Sequence, residues 1–164
     1  MGGVVINAQP IRILGASSAA GMAVTGTVAE TILATVSIPA GAMGTRGIIR
    51  VTSLWSYTNS ANTKTLTWRF GAAGAGIGGT TYMGTPVTTT ALFHDIRMVR
   101  NITASTQKGL STGNPTGGFG TSSGALATSS VNTGNAAEIA FTATLTNTGE
   151  TITLESYLVE LIVP

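Results

Sequence analysis

The sequence has little charge and no cysteine. Lys, Arg, Asp and Glu make up only 9% of its 164 residues, whereas about a quarter is usual in a soluble domain. A soluble monomer normally relies on well-spread surface charge to stay apart from its neighbours, so we expect this chain to assemble with other subunits. The absence of cysteine excludes disulfides, thiolate metal sites and thiol catalysis.

Basic residues are few and scattered. The chain has eight Lys and Arg residues against six acids, a net charge of only +2. The nearest pair, Arg97 and Arg100, is expected to point to opposite faces of a strand. Because binding to DNA or RNA requires several phosphates to be neutralised together, we expect no nucleic-acid partner.

Long apolar runs are absent as well. No stretch reaches the ~18 residues that a membrane-spanning helix needs. No Lys or Arg precedes the apolar residues at the N-terminus, as a secretory signal would require. We therefore expect a soluble, unprocessed chain without membrane insertion.

Residue patterns that carry chemistry are also missing. The single histidine, His94, is next to Asp95, but neighbours on a strand point to opposite faces and cannot share a proton. No local spacing brings two glutamates together as a glycosidase pair. Calcium loops, HExxH and GxSxG motifs do not occur. We expect no catalytic residue, no metal and no cofactor; an enzyme would have to be a small hydrolase with His94 as its base.

The sequence instead contains a series of strands rich in threonine and apolar residues. Alternation predicts strands at 32–38, 48–57, 65–70, 80–83, 89–100, 139–145 and 152–163, and residues 101–108 are expected to pair back on the strand before them. The strands at 48–57 and 65–70 are interpreted as a hairpin. On the strand at 89–100, Leu92, Ile96 and Met98 are predicted to face inward.

About eight strands with uneven connections and no helical period predict an all-β fold. The simplest form is an antiparallel two-sheet sandwich that is jelly-roll-like. Residues 1–28 are small and apolar and are interrupted by Pro10 and several glycines, so we predict an extended N-terminal arm before a sandwich domain at 29–164. The apolar residues of this arm favour docking over fraying in water.

Two further segments leave alternatives open. Residues 109–135 carry no charge and exceed the ~12–15 residues usual for a structureless loop, so they either project or contain a weak strand near Ala125 and Ala127. In the last strand the apolar residues change faces between Leu158 and Val159. Either a bulge near Tyr157 switches the faces, or the end of the strand is buried on both sides in an oligomer.

Several stretches resemble small virion proteins of tailed bacteriophages. They are ETILATVSIPAG at 30–41, TNSANTKTL at 58–66, RNITASTQKG at 100–109 and ETITLESYLVELI at 150–162. The resemblance covers most of residues 29–163 and concerns strands and turns rather than a chemical site. It implies a jelly-roll structural protein, homotrimeric, that decorates or cements the capsid or forms a head fibre or tail part. The arm would attach it to the major capsid protein or another virion protein.

Packing three sandwiches side by side would require apolar contact residues. The interface candidates are Ile11, Ile13, Leu14, Trp55, Tyr57, Trp68, Val159 and Leu161. For the three aromatic residues among them, a place in the core is the favoured alternative. The second functional hypothesis is a tail-associated receptor-binding module, in which Tyr82, Phe119 and the amide-rich loops would hold a host-surface glycan.

Overall fold

The computed structural model describes residues 11–17, 21–110 and 126–163. Within these ranges the chain forms eleven strands and one short 3-10 helix, Gly76–Gly78. The strands are β1 Arg12–Ser17, β2 Met22–Thr25, β3 Thr31–Ile38, β4 Ile48–Tyr57, β5 Lys64–Ala72, β6 Thr80–Val87, β7 Leu92–Thr103, β8 Thr106–Leu110, β9 Leu126–Ser129, β10 Ala137–Leu145 and β11 Thr151–Ile162.

The strands form two antiparallel sheets, as the sequence predicts. The larger sheet has the order β1-β11-β4-β7-β8-β9, with β2 also paired to β11, and the smaller has the order β3-β10-β5-β6. Four pairs are nested like one long hairpin, from β5–β6 through β4–β7 and β3–β10 to β1–β11. Because successive pairs alternate between the sheets, this ribbon is rolled into a jelly roll, which β8 and β9 extend beyond β7.

The predicted hairpin of residues 48–57 with 65–70 is wrong. β4 pairs with β11 and β7 in the larger sheet, whereas β5 pairs with β10 and β6 in the smaller one. The turn between them therefore carries the chain across the sandwich. The apolar faces of both strands are nevertheless buried as predicted, because both strands face the same core from opposite sides.

Aromatic rings fill the core between the sheets. Trp68 stacks on Tyr82 with ring centroids 5.5 Å apart, and Phe141 stacks on Tyr157 at 4.9 Å. Trp55 lies 6.4 Å from Phe141, and its Nε1 donates a hydrogen bond of 2.9 Å to Ser53 Oγ. These rings bury large apolar areas, so they hold the two sheets together.

A bulge in β11 explains the change of buried face. The register of β11 against β4 shifts between Leu154 and Ser156. Ile152 and Leu154 are buried before this point, and Val159 and Leu161 are buried after it. The bulge alternative is therefore confirmed, two residues before the predicted position.

The described part of the predicted N-terminal arm lies along the sandwich. Both β1 and β2 pair with β11. Gly15 permits the close approach of β1 to β3, because a Cβ there would lie 2.8 Å from a methyl group of Val36. Residues 1–10 lie outside the described residues.

The segment at 109–135 contains a strand. β8 pairs back on β7, as predicted for residues 101–108, and β9 pairs with β8. The weak-strand alternative is confirmed for residues 126–129. Phe119 and Ala125 lie in the range 111–125, outside the described residues.

Candidate functional site

Strand β7 is reversed relative to the prediction. Leu92, Ile96 and Met98 were expected to face inward, but they expose 67%, 59% and 52% of their surface. The inward positions are Asp95 and Arg97, followed by Val99 and Asn101, all of which are buried. This prediction is wrong because the two charged residues satisfy each other inside the sandwich.

The pair of Asp95 and Arg97 makes this reversal possible. Arg97 Nε donates hydrogen bonds of 3.0 and 3.1 Å to the two carboxylate oxygens of Asp95. Arg97 Nη1 donates a third, of 3.2 Å, to the carbonyl of Tyr82. Burying a charge is tolerated only when it is paired and hydrogen-bonded, and these contacts meet that condition.

Beneath β8 and β9 the inward side chains are also polar. The Tyr82 hydroxyl lies 2.8 Å from Ser129 Oγ, which donates a hydrogen bond of 2.9 Å to Gln107 Oε1. Gln107 Nε2 donates to Asn101 Oδ1 at 3.1 Å, and Asn101 Nδ2 donates to Thr133 Oγ1 at 2.8 Å. This buried network ties the extension of the sheet to the jelly roll.

The outward side chains of β7, β8 and β9 are mostly large and apolar. Those with at least two fifths of their surface exposed are Leu92, Ile96, Met98, Ile102, Leu110 and Leu126. A groove of about 420 Å³ lies among the last five of these residues, and its lining also includes Arg100, Lys108 and the ion-paired Asp95 and Arg97. We call this surface the β7–β9 face. Contiguous exposed apolar surface of this kind is typical of binding sites.

One end of the β7–β9 face is basic. Arg100 of β7 is directly opposite Lys108 of β8, and both line the groove. Arg46 and Arg100 together line an adjoining recess of about 380 Å³. Among residues 11–17, 21–110 and 126–163, none of these three cations forms an ion pair.

The acids of the chain are engaged elsewhere. Ion pairs join Glu30 to Arg69, Asp95 to Arg97, Glu150 to Lys64 and Glu160 to Arg50. Of the two remaining acids, Glu138 accepts hydrogen bonds of 2.9 and 2.7 Å from the backbone N–H groups of Gly74 and Gly76. Glu155 accepts one from the Ser56 hydroxyl.

These partners shift the acidity of two glutamates. Hydrogen bonds from Ser60 and Asn62, with the nearby Lys64 ammonium, hold the pKa of Glu150 below its ordinary value. Hydrogen bonds from Arg50 do the same for the pKa of Glu160. Both groups are stabilised as carboxylates by neighbouring donors, as structural ion pairs are.

His94 and Asp95 lie on opposite faces of β7, as predicted: His94 is exposed and Asp95 is buried. The part of the chain that the structure describes contains no group of three or more His, Asp or Glu residues that could hold a metal ion. In the same ranges no helix has the length and apolar character needed to span a bilayer.

Most of the predicted interface residues lie in the core. Trp55, Tyr57, Trp68, Val159 and Leu161 are buried within the sandwich, so they have almost no surface to offer a partner. By contrast, Ile11 and Ile13 are exposed by 52% and 63%, and Leu14 is half-buried against the core. The exposed pair lies at β1, which is an edge strand of the larger sheet.

One of the two aromatic residues of the glycan-binding hypothesis, Tyr82, is not on the surface. Tyr82 is buried under the β8–β9 extension, and burial raises the pKa of its phenol. It cannot stack on a sugar from this position.

Sequence reasoning missed the β7–β9 face, although one signal was present. Asp95 and Arg97 are opposite charges two residues apart, on one side of a strand whose other side is mostly apolar.

No protein-family model matches the chain, and no curated protein matches it. Among solved structures, the chain is similar to a structure of infectious bursal disease virus, Gx strain, with 11% sequence identity and a TM-score of 0.28. The similarity covers 96% of this chain and 43% of that one, so this chain spans less than half of the other's length. At this TM-score the similarity carries no argument about function.

Proposed function

We propose that this protein is a non-enzymatic structural protein of a bacteriophage virion, which assembles as a homotrimer and decorates or cements the capsid. The observation that supports this most directly is the β7–β9 face. Its apolar side chains are exposed, while the charges of Asp95 and Arg97 on the same strand are paired in the interior. Such a surface suits a contact with another protein.

The two ends of the larger sheet suggest two different contacts. β1 is an edge strand that exposes Ile13, and Ile11 is exposed just before it, so we assign the contact between copies to this edge. A head-to-tail contact that closes after three copies gives a trimer. The three β7–β9 faces would then meet the capsid together, and weak single contacts would add through their high effective concentration. Residues 1–10 of the predicted arm would contribute further contacts to the major capsid protein.

Sedimentation equilibrium of the full chain tests the assembly. We expect a trimer at micromolar concentration, and Ile13→Asp should reduce it to a monomer. Ile77→Asp is the matched control, because Ile77 is a similarly exposed isoleucine in the short 3-10 helix. A wild-type monomer at micromolar concentration would contradict the trimer.

Cryo-electron microscopy of particles made with and without the protein tests the location. We expect density on the capsid at three-fold positions that is lost when the protein is absent. If the density is instead lost at the tail tip and the particles fail to adsorb to cells, the receptor-binding hypothesis replaces this one.

A further inference from the structure

In the part of the larger sheet formed by β7, β8 and β9, the usual positions of polar and apolar side chains are reversed. Polar side chains of Asp95, Arg97 and Gln107 face the interior, and apolar side chains face outward along the groove. Two-layer folds normally bury the apolar face of each sheet. The outward apolar side chains therefore lack the second layer that normally covers such a face. No described residue of this chain supplies that layer.

The basic end of the face limits what that other half contains. The register places Ile48, Arg100, Lys108 and Thr128 side by side in one row across four strands. Like charges directly opposite each other on neighbouring strands are destabilising. No acid of the described chain forms an ion pair with either Arg100 or Lys108, so a carboxylate of the occupant would offset this repulsion.

We propose that the β7–β9 groove binds a segment of a second protein in which apolar residues alternate with Asp or Glu. This inference rests on the proposed function in one respect, because the second protein would be another component of the virion. Carboxylates would bind Arg100 and Lys108, and guanidinium–carboxylate hydrogen bonds are among the strongest available to proteins. Apolar side chains of the segment would pack on Ile96, Met98 and Leu126.

A second copy of this chain fits the face less well. Stacking the same face on itself would bring Arg100 and Lys108 towards their own counterparts. Four of the six acids in any copy are already in internal ion pairs, and the other two accept internal hydrogen bonds. A nucleic acid would use the cations but would leave the apolar side chains exposed.

The test measures binding of synthetic decapeptides to the full-length protein by fluorescence anisotropy. The probe is a labelled peptide that alternates Val with Glu, and the matched peptides replace Glu by Gln or by Lys. We expect the Glu peptide to bind at least tenfold more tightly than the Gln peptide, with no measurable binding of the Lys peptide. Raising the salt concentration should weaken the Glu peptide selectively, because its contacts are ionic.

Charge reversal identifies the site. Arg100→Glu, and independently Lys108→Glu, should weaken the Glu peptide at least tenfold, because the remaining cation then pairs with the new carboxylate on the neighbouring strand. The double variant Thr35→Glu with Ser37→Glu is the matched control, because it changes the net charge equally and both residues are exposed on β3 of the smaller sheet. Met98→Ser should weaken the Glu and Gln peptides alike, since it removes apolar contact without changing charge.

Several outcomes would overturn the inference. They are equal affinity for the Glu and Gln peptides, an equal effect of the β3 control variant, displacement of the Glu peptide by single-stranded DNA, and conversion of the oligomer to monomers by Met98→Ser. The last would make a second copy the occupant. If the Arg100→Glu variant of the protein attaches to particles as the wild type does, this inference fails and the proposed function stands. If cryo-electron microscopy shows no density on the particle that depends on this protein, the proposed function fails. The peptide measurements then decide the binding specificity of the groove by themselves.

Discussion

The ion pair of Asp95 with Arg97 is the contact on which the orientation of β7 depends. The two side chains expose only 6% and 3% of their surface. Asp95→Asn keeps the shape of the side chain and removes its negative charge. The guanidinium of Arg97 then stays in the interior without its carboxylate, so we expect a large loss of stability.

The size of that loss follows from burial. Removing one partner of a buried ion pair costs about 3–5 kcal/mol, whereas an exposed pair contributes about 0–1 kcal/mol. A domain of ordinary stability unfolds at a cost of about 5–15 kcal/mol, so Asp95→Asn should remove a large share of it. With a urea dependence near 2 kcal/mol per molar, the unfolding midpoint should fall by roughly 1.5–2.5 M. The two buried tryptophans allow unfolding to be followed by fluorescence.

A variant without either charge distinguishes the free-energy cost of an unpaired buried charge from the cost of a changed side-chain volume. The double variant Asp95→Leu with Arg97→Met should recover most of the lost stability, because apolar side chains of similar size often replace a buried pair at little cost. Glu160→Gln, which breaks the pair with the more exposed Arg50, should cost clearly less than Asp95→Asn.

Two results would refute this reasoning. A loss below about 1 kcal/mol for Asp95→Asn would mean that the pair behaves as an exposed one. A double variant no more stable than Asp95→Asn would mean that the uncompensated charge is not what destabilises the single variant.

Two further predictions concern packing and pH. Gly109→Ala should destabilise the fold, because the added methyl group would lie 2.6 Å from ring carbons of Tyr82, whereas Gly78→Ala meets nothing within 4 Å and should be near neutral; equal urea midpoints for the two variants would contradict this. Acid should also destabilise the protein. The pKa values of Glu150 and Glu160 are lowered in the folded state, so their contribution is present above the ordinary value of 4.5 and is lost as the pH falls through the lowered values. Urea midpoints that stay constant from about pH 7 to 3 would disagree.

The sequence predicts the sandwich well where apolar residues alternate on strands that face the core. In β5, Leu66, Trp68 and Phe70 are buried as expected, because nothing on the other side of the strand competes for the interior. Turn residues also locate the ends of strands, as Pro39 does for β3. They do not reveal which strand becomes the neighbour: the turn after β4 resembles that of a hairpin, but it connects strands of different sheets.

Alternation shows which residues share a face of a strand but not which face is buried. In β7 the apolar side holds Leu92, Ile96 and Met98, and choosing it as the inward side follows the usual rule. The ion pair of Asp95 with Arg97 overrides that rule, because its charges are satisfied by each other. For the same reason the sequence does not reveal the candidate surface: the usual rule places Leu92, Ile96 and Met98 in the core, whereas most of the predicted interface residues are themselves core residues.

The polar interior beneath β8 and β9 bears on the binding that we propose for the outer face. A buried network in which every hydrogen bond is made has few alternative arrangements, because leaving one group unsatisfied costs about 1–3 kcal/mol. The network from Tyr82 through Ser129 and Gln107 to Asn101 therefore holds the extension in one position. A face held in this way loses little conformational freedom on binding, and a larger part of the contact energy remains as affinity. Turning the other side of β7 inward would bury Arg100 in place of the paired Asp95 and Arg97, so the ion pair fixes the orientation of the strand and leaves its apolar side chains outside, where the proposed partner would cover them.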